Sequence, residues 1–253
     1  MIHGLYLAAH GAGMHSIRQD VIANNLANAS TTGFRRDMAV FRVYDAEALL
    51  GNIPVRMQGE RQNELGAGGV AEVVTVHQTA SHQKSGRPLD VALAGDGFLR
   101  VSNGEQEFLT RNGRMRRNEF GELVTEDDGL KVLSTAGVPL AIPADAVEIM
   151  IGQDGTIDVV NLEGAISRPG RLDVVTTQHD QLEKLGGGLY RAGSELEPAL
   201  DVTVRQGFTE ASGVNAVSEM AAMIETSRAF ETSVNMIRIQ DESLGRLLQG
   251  VTG

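Results

Sequence analysis

The chain has 253 residues, with 22 Lys and Arg against 33 Asp and Glu, a formal net charge of −11, no Cys and no Trp. That length can bury a real core, but with aromatics at 4 % the core has to be aliphatic and modest. The acidic balance argues against a nucleic-acid partner, which needs a basic footprint, and the missing thiols exclude disulfides and Cys-based zinc or iron sites.

Met1 to about Asn28 reads as a helix, with Leu7, Met14, Ile17 and Val21 on one stripe and Ala9, Ala12, Ala23 and Leu26 on a second, small-residue stripe. Small residues let a partner helix approach closely. His10, Asn24 and Asn28 interrupt the pattern, and isolated helices of such mixed character are marginal in water. This end is therefore expected to order only on assembly. The run Asn28-Ala-Ser-Thr-Thr-Gly33 stops the helix, because Asn, Ser and Thr side chains compete for backbone hydrogen bonds and Gly33 can take the left-handed conformation that ends a helix. Phe34 follows as an apolar anchor. The start has no Lys/Arg n-region, and its apolar run Leu5 to Ala9 is interrupted by His10, so no secretory signal peptide is expected. No run approaches ~18 apolar residues, so no membrane span is expected either.

Leu49 to Gly69, rich in Gly and polar residues, reads as a mobile connection or an extended ribbon. From Val70 to about Gly207 the period changes to that of short strands: Val73–Val76, Leu89–Leu93, Phe98–Val101, Glu107–Thr110, Glu122–Thr125, Val147–Ile151, Thr156–Val160, Leu172–Thr176 and Asp201–Arg205. Asn103-Gly104, Asn112-Gly113, Asp154-Gly155 and the triple Gly186 to Gly188 separate them as turns. Asp154-Gly155 is a strong hairpin signal, since both residues can adopt positive φ. The expectation is one β domain, barrel-like or a sandwich.

Candidate chemistry in this middle is thin. Gly95-Asp-Gly97 precedes a strand rather than a helix, so it lacks the geometry of a nucleotide loop. His77 and His82, and separately His3, His10 and His15, lack the spacing that lines up metal ligands on one helical face. Asp127-Asp128-Gly129 is not followed by alternating oxygen ligands or a closing Glu, and reads as an acidic hairpin turn. There is no Gly-x-Ser-x-Gly elbow, and nothing in the sequence pairs two carboxylates. The basic cluster Arg111, Arg114, Arg116 and Arg117 reads as a solvated hairpin face or a subunit contact. No catalytic residue, metal or cofactor is expected.

The C-terminal helix is the firmest element. Met223, Phe230, Ile237 and Leu244 recur every seven residues, and Met220, Val234 and Leu248 sit three before or four after them, which is an a/d seam. Ser227 and Asp241 break the apolar rule, and a polar group in such a seam costs stability while restricting register and partner number. Asn215 is placed to cap the helix and Glu219 to suit its positive end, so it should start near Ala216. At ~1.5 Å per residue it spans on the order of 50 Å and needs a partner helix.

Together these residues resemble the axial proteins of the bacterial flagellum, and within them the basal-body rod proteins, over nearly the whole chain. The N-terminal signature of that family, Asn-Asn-Leu-Ala-Asn followed by Thr-x-Gly-Phe-Lys/Arg, resembles Asn24 to Asn28 and Thr31-Thr-Gly-Phe-Arg35. The central one resembles Arg87-Pro-Leu-Asp-Val-Ala-Leu-Ala-Gly-Asp-Gly-Phe-Leu99, Thr110-Arg-Asn-Gly113 and Gly121-Glu-Leu-Val-Thr125. The C-terminal one resembles Ser212-Gly-Val-Asn215, Glu219-Met220, Met223-Ile224 and Arg228-Ala-Phe-Glu231, with Gly213 where the family usually has Asn. The Arg87-Pro-Leu-Asp phrase, the length and the ending Ile239-Gln-Asp-Glu-Ser243 are more similar to the proximal than to the distal rod type.

The resemblance implies an α+β subunit. Residues 1–35 and 211–253 form a helical, coiled-coil inner domain, 36–69 a connection and 70–210 an outer β domain. It implies no enzyme but a structural protein that polymerises helically with itself and other rod subunits. Such a protein leaves through the flagellar type III export apparatus without a cleaved signal, crosses the periplasm in the rod, transmits torque and lines an export channel. The contacts are then Leu7, Met14, Ile17, Val21, Asn24, Asn25, Leu26, Asn28, Gly33 and Phe34 at one end and Met220, Met223, Phe230, Val234, Ile237, Leu244 and Leu248 at the other. Two other readings stay open: a coiled-coil adhesin or binding module with a β head, and a cell-wall glycan enzyme, which needs two carboxylates ~5 to 9.5 Å apart.

Overall fold

The computed structural model describes residues 2–43, 69–193 and 195–252. They are α+β: two helices at the ends and a mostly β middle. The chain divides into two units, one of residues 1–27, 37–76 and 215–253, the other of residues 28–36 and 77–214.

The first unit holds α1 (Ile2–Ala27), β1 (Asp37–Val43), β2 (Gly69–Thr75) and α2 (Ala216–Thr252). Asn215 caps α2, its Oδ1 accepting from Val217 N at 3.1 Å and Ser218 N at 3.2 Å. The two helices pack together through small residues. Ala8 and Ala12 are buried, a Cβ on Gly4 would sit 2.7 Å from Gln240 Nε2, and one on Gly11 would sit 3.7 Å from Ser233 Oγ. The contact stripe is thus Gly4, Ala8, Gly11, Ala12, Ile22 and Asn25. Of the stripe expected from sequence, Ala12 lies on it and Leu26 is half-buried, while Ala9 and Ala23 are exposed. A shift of one residue rotates a side chain by about 100°. The antiparallel β1–β2 ribbon pairs Asp37 with Thr75 through to Val43 with Gly69. A strand thus opens the stretch expected as a connection. The Leu49–Gly69 segment, apart from Gly69, lies outside the described residues.

The second unit is built of short strands: β3 (His82–Lys84), β4 (Val91–Ala94), β5 (Phe98–Ser102), β6 (Glu107–Thr110), β7 (Met115–Arg117), β8 (Leu123–Thr125), β9 (Lys131–Val132) and β10 (Ala146–Ile151). There follow β11 (Thr156–Asn161), β12 (Ile166–Arg171), β13 (Val174–Thr176), β14 (Leu182–Gly186), β15 (Leu189–Ala192), β16 (Glu197–Pro198), β17 (Thr203–Gln206) and β18 (Phe208–Glu210). The largest sheet runs β14-β15-β6-β5-β9-β8-β7, with β13 also on β5 and β16 on β13. Beside it lie the sheet β10-β11-β12 and the pairs β17-β4 and β18-β3. Their inner faces share an aliphatic core that includes Val91, Leu93, Leu99, Val101, Leu123 and Ile157, and Phe98 and Tyr190 belong to a second, smaller cluster. Gln206 reaches from β17 to the side of β10 away from β11. Its Oε1 accepts from Ile151 N at 3.1 Å, and its Nε2 donates to Ile149 O at 2.7 Å and Pro88 O at 2.8 Å.

Two turns show why glycine stands where it does. Between β10 and β11 Gly155 takes φ 85°, but Asp154 stays at negative φ; its carboxylate accepts from Thr156 N and Thr156 Oγ1 instead. Gly113 needs no left-handed backbone. A Cβ there would lie 1.9 Å from Val91 O, and Gly113 O accepts from Val91 N at 2.9 Å. Gly113→Ala is expected to destabilise the protein by about 3 kcal/mol or more by forcing β4 away. Gly137→Ala, at φ 74° with nothing within 4 Å, is expected to cost about 1 kcal/mol. Urea midpoints test the contrast, and equal shifts in the two variants would refute the packing argument.

Candidate functional site

The expected contact residues divide into those that the protomer uses itself and those it leaves open. On α1, Leu7 is 46 % and Ile17 39 % exposed, with Tyr6 beside them at 55 %; Met14 and Val21 are half-buried and Asn24 exposed. This stripe lies roughly a third of a turn of the helix away from the small-residue contact stripe. On α2, the positions in helical register with Ser233 and Gln240, which approach α1, are Met223, Phe230, Ile237 and Leu244, all half-buried. Glu219 and Thr226 are fully covered there. The other row points away: Met220 is 47 % and Val234 44 % exposed, flanked by Val217 and Ile224 at 72 % and 57 %. A shallow apolar groove of about 260 Å³ lies on this side, lined by Phe230, Glu231, Val234, Asn235 and Arg238. Ser227 is half-buried, Asp241 is exposed, and the side chain of Leu248 lies outside the described part.

Asn25 is consumed within the first unit. Its Nδ2 donates to Asp37 O at 2.8 Å and its Oδ1 accepts from Asp37 N at 2.9 Å. The side-chain amide thereby stands in for a strand partner and fixes where β1 begins, and Glu219 Oε2 lies 3.5 Å from the same Nδ2. Asp37 Oδ1 in turn accepts from Thr75 Oγ1 at 2.7 Å. An Asn in an otherwise apolar helical register was the available signal, but nothing local shows that it turns to the backbone of Asp37, beyond the end of the helix.

Asn28, Gly33 and Phe34 belong to the second unit, and the last two are buried. Gly33 and Phe34 thus pack within this unit, while Asn28 keeps part of its surface open. Asn28 O accepts from Thr31 N and from Ser212 Oγ. Gly33, at φ 69°, passes so close to Arg111 that a Cβ would lie 2.6 Å from its carbonyl. Phe34 is 1 % exposed, with Lys184 Nζ 3.9 Å from its ring centroid; Lys184 Nζ also donates to Arg35 O at 2.7 Å.

Next to this anchor lies a buried charge triad that sequence reasoning missed. Arg35, Arg111 and Glu210 are 2 %, 1 % and 1 % exposed. Arg35 Nη1 lies 2.9 Å from Glu210 Oε1, and Arg111 Nε lies 2.9 Å from Glu210 Oε2. Ala80 N donates to Oε1 at 2.9 Å. Arg111 spends its remaining donors on the backbone carbonyls of Leu93, Gly95 and Gly97, and Arg35 donates to Gln78 O. Gly95-Asp-Gly97 is therefore a cradle for a guanidinium. A Cβ on Gly97 would meet Val202 Cγ2 at 2.9 Å. Burial pulls the Arg111 guanidinium below its ordinary range, against the pull of Glu210. The basic cluster consequently splits: Arg111 is core, Arg114 Nη2 pairs with Glu126 Oε2 at 3.0 Å, and Arg116 and Arg117 lie exposed on β7.

Asp127, expected in an acidic turn, accepts from Asn112 Nδ2 at 2.7 Å. Among the described residues no group of His, Asp and Glu is arranged to hold a metal ion, and no helix is long and apolar enough to cross a membrane.

Comparison with known proteins matches three regions to family models. Residues 5–35 match the flagella basal body rod protein model, 92–159 the flagellar hook protein FlgE/F/G D1 domain and 205–250 the flagellar basal body rod FlgEFG protein C-terminal model. The flagellar basal-body rod protein FlgG of Bacillus subtilis is 32 % identical over 98 % of both chains. FlgF of Escherichia coli is 34 % identical, again over 98 % of both. FlgF of Caulobacter vibrioides is 34 % identical over 86 % of this chain and 85 % of its own.

Glu210→Ala leaves two buried guanidinium groups without their counter-ion, and a loss of about 3–5 kcal/mol is expected. Chemical denaturation measures it, and a loss under about 1 kcal/mol would contradict the role given to the triad.

Proposed function

We propose a contact surface and a position for this chain, which belongs to the flagellar basal-body rod protein family and is a structural subunit of the rod. The surface is the outward row of the two helices: Leu7, Met14, Ile17 and Val21 on α1, and Val217, Met220, Ile224 and Val234 on α2. One observation carries this reading. The helix pair uses its small residues internally and leaves large apolar ones in water, the reverse of what a solitary helix pair needs. In this reading one row of the C-terminal heptad, Met223, Phe230, Ile237 and Leu244, closes the protomer. The other row, with Leu248 further along, takes part in coiled-coil packing with neighbouring protomers.

Heterologous contacts of that kind propagate as an open helix instead of closing into a ring. The helices then line the inner layer and its export channel, and the β unit forms a barrel-like outer layer that stiffens the rod for torque. Export through the type III apparatus without a cleaved signal, and residence in the periplasmic part of the basal body, belong to the same proposal. Shape and apolar contact account for all of this without a reaction.

For position, the FlgF and FlgG relatives stand level at 34 % and 32 % identity. The proximal, FlgF-type place rests on the Arg87-Pro-Leu-Asp phrase and the ending Ile239-Gln-Asp-Glu-Ser243, and a distal place is the alternative. Crosslinking from position 224 to neighbouring rod proteins distinguishes the two.

The double variant Met220→Asp with Ile224→Asp is expected to keep the urea midpoint of the wild-type protein within about 0.5 kcal/mol while abolishing rod assembly and swimming. Ile237→Asp, half-buried on the inner row, is expected to loosen the helix pair as well. Normal swimming in the double variant would rule out the proposed surface.

A further inference from the structure

His77, where the chain re-enters the β unit, lies face to face with His179, ring centroids 4.3 Å apart and planes 9° from parallel. His179 opens a short 3-10 turn, His179–Gln181, before β14, and its Nε2 lies 3.2 Å from Asp96 Oδ1. Phe98 and Tyr190 flank His77 at 6.4 Å and 5.9 Å between centroids. His77 Nδ1 is buried without a hydrogen-bond partner. The charges around it are lopsided: Arg35, Lys184 and His179 on the positive side and Asp96 on the negative. Arg35 already shares Glu210 with Arg111, so a further cation here meets an environment with positive charge in excess.

We propose that the stacked His77–His179 pair is an acid-released latch, which in its neutral state fastens the chain's entry into the β unit to the 3-10 turn and in its protonated state lets both go. Stacking of two neutral rings in a half-buried, aromatic-lined site is favourable. A proton on His77 would desolvate a charge and repel Arg35, Lys184 and a protonated His179, with Asp96 alone to offset it. Burial first, then His179 and Arg35, depress His77 from the ordinary 6.5 to about 4. Within that window an opened latch takes up a proton that the closed one refuses, so opening grows as the pH falls and levels off near pH 4. Above about pH 6.5 both states are neutral and the latch is at full strength.

Amide exchange on the full chain tests it. The Gln181 and Gly193 amides bond Gln178 O at 3.0 Å and Gln181 O at 2.8 Å, so they report on the 3-10 turn. Corrected for intrinsic rates, their exchange is expected to be ~20-fold faster at pH 5 than at pH 7. In His77→Phe, which keeps the stack but cannot titrate, it should change by less than about twofold. Parallel pH profiles in the two proteins would overturn the latch. Should His77→Phe not fold, the His77 imidazole is titrated by NMR in the wild-type chain. A midpoint below about pH 5.5 supports the latch and one above it overturns the latch.

Discussion

Two arginines share one carboxylate in the dry interior of the β unit, and much of the chain's order follows from that arrangement. Glu210 takes Arg35 on one oxygen and Arg111 on the other. Those two then reach the carbonyls of Gln78, Leu93, Gly95 and Gly97. Segments from both ends and the middle of the sequence are thereby held at one point. An apolar cluster could supply comparable stability, but it would not fix direction. Guanidinium forks and carboxylate lone pairs accept only one mutual orientation, and here they set the places of β18, the Thr31–Arg35 turn and the Gly95–Gly97 loop.

The helical unit follows a different logic. Gly4, Ala8, Gly11 and Ala12 draw α1 and α2 into close approach, and Asn25 ties α1 to the start of β1. What remains outside is Leu7, Ile17, Val217, Met220, Ile224 and Val234. Fully covering one such side chain is worth about 1.5–3 kcal/mol, so a few of them suffice to drive association once a neighbour presents a matching row. The β unit, in contrast, completes its own aliphatic core.

Much of this was legible in the residues. The α2 start at Ala216, the Asn215 cap, the end of α1 at Ala27 just before the Asn28–Gly33 run and several strands, among them β5, β6, β10 and β11, follow from local chemistry that needs no distant partner. Sequence reasoning fails where the cause is remote. Arg111 among four arginines looks solvated until Glu210 is brought beside it, and Asn112-Gly113 reads as a turn until β4 passes within contact of Gly113. β1 is hidden because Asn25 and β2 define it, and β14 and β15 because their apolar residues are few. The heptad located the helix but not its rotation. Which row faces α1 is decided by Gly4 and Gly11, whose lack of a side chain leaves no mark on apolar periodicity.

Gln206 bears on a hazard that any filament-forming protein carries. A bare strand border is a template for further strands, and at the crowding of a growing filament it invites cross-β stacking. Along Ile149–Ile151 that border is occupied by one carboxamide, which imitates a peptide group and satisfies a donor and an acceptor together. A side chain, unlike another strand, ends the ladder. The effect is to close off one irreversible route of self-association, through the border of β10.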